Sequence, residues 1–145
     1  VGILFIRAAV IYLFIGVAIG IYMAACHCFD QRDVHAHANL AGWVSLAISG
    51  LIYRAYPMLA EHALARIHFW LHNLGLPVML TGIVLLYGGN PQAGEPLAGI
   101  GSITVALGFI ALLCNVFRTE DACHRISVLH AASSAMVRHD DTNQK

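Results

Sequence analysis

Two histidines one residue apart, His35 and His37, open the apolar run VHAHANLAGWVSLAISGLIYRAYP at residues 34 to 57. Imidazole ligates haem iron, copper and zinc, and a polar group in hydrocarbon is costly, so histidine within a membrane span marks a site by default. On an α-helix, positions i and i+2 lie about 200° apart. The pair therefore points to nearly opposite sides and serves two neighbours, or a site on one side and packing on the other. The plainer alternative is interfacial: both lie within about two turns of Asp33, shallow enough to be partly wetted.

Two further groups carry ligand chemistry. His68 and His72 are four residues apart, on one face of a helix, a spacing that suits a metal or a second haem edge. Against this, His68 near Arg66 would cap the interface, and Trp70 beside it is a routine interfacial anchor. Met23, Cys26, His27 and Cys28, in the string MAACHC, offer soft ligands of the kind that suit copper(I) or zinc. Packed small residues are the competing reading. The four cysteines, 26, 28, 114 and 123, are not expected to form a disulfide framework, and a bridge between Cys26 and Cys28 would be strained. His62, His124, His130 and His139 read as ordinary solvated residues of a loop or tail. No phosphate-binding glycine loop, nucleophile triad, carboxylate pair or C-x-x-C-H is present, and nothing suggests nucleic acid.

The elements that must position these residues follow from composition. With 59% hydrophobic residues, 11% charged and a mean hydropathy of +0.70, the chain lies outside the balance of soluble domains and reads as a membrane protein surrounded by lipid. Four apolar stretches, about 3 to 25, 34 to 56, 64 to 88 and 96 to 117, are each long enough to cross a bilayer. The alternating pattern of a closed barrel is absent, so the expected fold is all-α, a four-transmembrane-helix bundle. The first stretch is too long for a signal-peptide core and is read as a true span. The expected domains are a four-helix transmembrane unit at 1–118, which carries the candidate ligands, and a cytoplasmic tail at 119–145, of which residues 119 to 136 form a short amphipathic helix. Arg7, Arg54, Arg66, Arg118, Arg125, Arg138 and Lys145 share one side, against Arg32 alone on the other. That bias puts both chain ends in the cytoplasm and the His35–His37 pair at the outer side of a bacterial inner membrane.

The string HAHANLAGWVSLAISGLIYRAYP closely resembles the tenth helix of subunit I in haem-copper oxidases, especially the cbb-type enzymes. The shared pattern is H-x-H, G-W-V, a later Gly, a Tyr and a terminal Pro, here His35, His37, Gly42, Trp43, Val44, Gly50, Tyr53 and Pro57. HFWLHNLGL at 68 to 76 is similar to the HFW motif of the next oxidase helix. The resemblance covers about residues 34 to 90, suggests that the four helices resemble the last four of that subunit, and extends more loosely to short stand-alone proteins labelled oxidase subunit I-like. It implies that the first histidine of the pair ligates a high-spin haem and the second a low-spin haem. The helices carrying the copper histidines and the catalytic tyrosine have no counterpart, so oxygen reduction by this chain alone is not expected. Also missing is the helix that supplies the second axial ligand, and His72 stands where the motif usually has a small or apolar residue.

The expectation is thus a haem b-binding membrane protein for electron transfer or diatomic gas binding, held through His37, with His35 a second ligand or its neighbour's. His27 at the end of the first helix, the same residue of a second copy, or an exogenous ligand would complete the site. His37 and His72 are expected to lie about 15 Å apart in depth and to serve different sites. A homodimer is encouraged by Gly16 and Gly20, a GxxxG, and by Ala98, Ser102 and Ala106. Pro77 should kink the third span or free a carbonyl. A redox partner protein is implied by electron transfer. The rival readings are a copper-handling or oxidase-assembly protein and a structural subunit without cofactor.

Overall fold

The structure, a computed structural model, describes the backbone of residues 1–143 and the side chains of residues 1–118. Every regular element among these residues is helical: α1 (Gly2–Cys26), α2 (Arg32–His37), a π-helical segment (Ala38–Val44), α3 (Ser45–Ala55), α4 (Pro57–Glu61), α5 (Ala63–Tyr87) and α6 (Pro91–Asn143). Three helices, α1, α5 and the Pro91–Arg118 part of α6, are long and apolar enough to cross a membrane.

The stretch expected as the second span is helical from Arg32 to Ala55 but is not one α-helix, because seven residues of π geometry divide it. Side-chain donors compete for the carbonyls there. Asn39 Nδ2 donates to the His35 carbonyl at 2.9 Å, the Ser45 hydroxyl to that of Leu40 at 2.8 Å, and His72 Nε2 to that of Ala41 at 2.9 Å. Carbonyls drawn off in this way loosen the i→i+4 ladder and favour the wider turn.

The connection PMLAEHA, read as a loop, contains the short helix α4. Pro57 supplies its first position, and Tyr56 before it leaves the helical region, at φ −123° and ψ 80°, as the ring of a following proline demands. Pro77 does not break α5, which runs through it, and the Thr81 hydroxyl donates to the Pro77 carbonyl at 2.8 Å. The backbone of α6 continues past Arg118 to Asn143. The side chains of the expected tail, Cys123, His124, His130 and His139 among them, lie outside the described residues.

Packing pairs α1 with the π segment and α3, and α5 with α6. Glycine permits both approaches. A Cβ on Gly50 would sit 2.9 Å from the Gly2 carbonyl oxygen, and one on Gly75 3.0 Å from that of Gly101. The Gly16–Gly20 motif, expected to join two copies, instead packs helices within one chain: Gly16 lies under Asn39 and Gly20 under the His35 ring. Ala98 of the second small-residue stripe likewise packs on Gly82, whereas Ser102 and Ala106 are exposed.

The core runs between the two halves through Phe5, Ala9, Tyr12, Leu46, Tyr53, Leu76 and Met79. The outside is apolar too, with Phe14, Leu51, Leu74 and Ile103 all exposed. In lipid such surfaces gain little by burial, so packing and buried hydrogen bonds must hold the bundle.

Candidate functional site

The His35–His37 site is built on α2. Its regular turn makes the two rings diverge as the spacing predicts: His35 is half-buried against α1, and His37 is exposed on the other side. His35 Nδ1 lies 2.9 Å from the Gly16 carbonyl, and His37 Nδ1 lies 2.7 Å from the Asp33 carbonyl. A carbonyl only accepts, so in each ring Nδ1 carries the proton and Nε2 carries the lone pair. This is the tautomer of a ligand histidine whose second nitrogen is anchored by a backbone oxygen. Asn39, one turn on, holds the His35 carbonyl, and Gly20 clears the ring edge, its hypothetical Cβ being 3.0 Å from His35 Cε1.

His37 shares its face with Leu40, Val44, Ile48 and Leu51, all exposed. An imidazole on such a stripe needs either a cofactor or a protein surface over it.

His27 ends α1 in the left-handed conformation, at φ 53°, and is exposed. Among the described residues, no hydrogen bond or ring contact joins it to His35 or His37. The soft-ligand cluster takes a form that the sequence reading set aside: Cys26 and Cys28 are joined in a disulfide. One intervening residue, placed at the end of a helix and turned left-handed, brings the two Cα atoms to 5.2 Å, within the range of disulfides. Bonded to each other, these sulfurs offer no thiolate pair for copper, and Met23 beside them is buried.

A second cluster lies deeper, between the halves. His68 and His72 of α5 are fully buried, which overturns the reading of His68 as an interfacial cap; Trp70 between them is exposed as an anchor would be. Their ring centroids are 5.6 Å apart, walled by Phe109, whose centroid is 6.0 Å from that of His68 and 5.0 Å from that of His72, and by Phe5, 4.7 Å from His68. His68 Nδ1 lies 3.1 Å from the Tyr53 hydroxyl, and the buried Asn115 amide donates to the Leu59 carbonyl at 2.8 Å. His72 is tied to Ala41 as described, and His68 Nε2 and His72 Nδ1 are buried with no partner.

The large depth gap expected between His37 and His72 is not found, since His72 reaches the carbonyl of Ala41, only four residues beyond His37; His37 is exposed and His72 is buried. Tyr53 and Asn115 escaped the sequence reading as site residues. The signal for Asn115 was a lone amide near the end of an otherwise apolar run.

Among the described residues no three His, Cys, Asp or Glu side chains gather as a metal cage. Compared with known proteins, the chain matches no protein-family model, no curated protein and no solved structure.

Proposed function

We propose that the chain is an integral membrane protein of four crossings, the helical run from Arg32 to Ala55 being the second. It binds haem b near its outer end through His37, for electron transfer to a redox partner or for binding of a diatomic gas. The observation that carries this reading is the pair of anchored tautomers: both outer imidazoles spend Nδ1–H on a backbone carbonyl and keep Nε2 for a ligand bond. That donor chemistry suits haem iron, to which proteins supply axial imidazole and a low-dielectric slot. When bound, the haem would supply one-electron redox chemistry or an open coordination position. The chain's own part is to orient the two rings, through Asp33 and Gly16, and to present His37 on an apolar face.

An exposed imidazole facing lipid is costly, so a second copy is proposed to cover the His37 face about a two-fold axis, where the same patch meets itself. The membrane is proposed to be the bacterial inner membrane, with both chain ends cytoplasmic, from the bias of Arg and Lys.

The test is the visible spectrum of protein purified from haem-replete cells. A b-type spectrum is expected, with haem extractable by acid because no thioether holds it. His37→Ala should lose most of the haem, while His62→Ala, at an exposed junction, should keep it. A colourless wild-type preparation, or full occupancy in His37→Ala, would overturn the reading. Native mass spectrometry should find a dimer. A monomer with full haem content at dilution would remove the second copy from the site.

A further inference from the structure

The buried pair His68 and His72 is not used by the outer site, and each ring has one nitrogen with no partner in a fully buried position. Native interiors rarely leave such atoms unpaired, and the usual remedy is a protein group or an ordered water. We propose that one water molecule is held between His68 Nε2 and His72 Nδ1, closing a hydrogen-bonded chain from Tyr53 through His68 and His72 to Ala41.

The hydrogen-bond roles point to water. The Ala41 carbonyl accepts only, so His72 is protonated on Nε2 and its Nδ1 is an acceptor. At the other end, the buried Tyr53 hydroxyl has His68 Nδ1 as its hydrogen-bond partner at 3.1 Å. A buried hydroxyl gives its proton to such a partner, which places the His68 proton on Nε2. The two unpartnered atoms are thus one donor and one acceptor. A water oxygen accepts from the first and donates to the second. A metal ion would need lone pairs from both rings, and it would bring charge into a pocket walled by Phe5 and Phe109.

The two rings are neighbours, their centroids 5.6 Å apart. Gly108 faces the pair without a side chain: a Cβ there would sit 3.5 Å from His68 Cδ2, the atom next to Nε2. The site stands whether or not the outer histidines hold a haem.

The experiment is NMR of the full chain, labelled with ¹⁵N-histidine, in detergent micelles. Both rings should be neutral with Nε2 protonated, and the His68 Nε2 proton should show a cross-peak at the water frequency. His72→Phe should abolish that cross-peak. Gly108→Ala, which adds only a methyl group, should weaken it several-fold while circular dichroism stays unchanged. A wild-type protein without the cross-peak, or with zinc or copper bound one per chain and lost in His72→Phe, would overturn the proposal. So would a His68 ring protonated on Nδ1.

Discussion

Replacing Gly16 by alanine tests how α1 and the π segment are joined. The added Cβ would lie 2.5 Å from Asn39 Nδ2, 2.6 Å from Oδ1 and 2.7 Å from Cγ, so the whole amide must move. Overpacking of this kind costs about 1–3 kcal/mol. Displacing Asn39 also forfeits its hydrogen bond to the His35 carbonyl, about 0.5–1.5 kcal/mol. Alanine returns about 0.5–1 kcal/mol as the better helix former, leaving a net loss of roughly 2 kcal/mol. Gly99→Ala is the control, since nothing lies within 4 Å of its Cβ position; only the helix gain remains, about 0.5–1 kcal/mol. Gly20→Ala falls between, with its methyl group 3.0 Å from the His35 ring. The order of stability should be Gly99→Ala, wild type, Gly20→Ala, Gly16→Ala, read as the midpoint of helix loss against rising SDS fraction in mixed micelles. If Gly16→Ala unfolds at or beyond the midpoint of Gly99→Ala, the intramolecular packing argued here is wrong. A Gly16→Ala variant that keeps its unfolding midpoint but loses a dimer would place the motif between copies instead.

Tyr53→Phe removes the hydroxyl that pairs with His68 Nδ1, and stranding a buried polar atom costs about 1–3 kcal/mol, measurable in the same titration. A periplasm-active reporter fused after Lys145 should stay silent, whereas a strong signal would invert the orientation and move His35 and His37 inward. Alkylation of the native protein should leave Cys26 and Cys28 unmodified until a reductant is added. Equal labelling before and after reduction would show that the sulfurs are free.

The helical class and three spans were legible because hydrocarbon leaves the backbone few options, and an apolar run of span length announces itself. The divergence of His35 and His37 was equally legible, being a consequence of helix geometry alone. The π segment was not: Asn39 and Ser45 draw off carbonyls locally, but the third donor, His72, lies 31 positions away from Ala41. For the same reason the glycines at 16 and 20 read as a packing motif without naming their partner, which Asn39 and His35 supply from the next helical run. His68 was read by its neighbour Arg66, whereas its environment comes from Tyr53, Phe5 and Phe109 on other helices.

The three long-range bonds Tyr53–His68, Ala41–His72 and Leu59–Asn115 share one property: each runs from a residue before the break at His62 to a residue after it. They are the rivets between two helical hairpins, α1 with α3 and α5 with α6. Lipid tails solvate leucine as well as a neighbouring helix does, so greasy faces alone would let one hairpin slide or rotate on the other. A hydrogen bond in hydrocarbon tolerates no such slippage. The buried histidines thus act as an alignment key, recording how far along each other the two hairpins must sit before insertion becomes a defined fold.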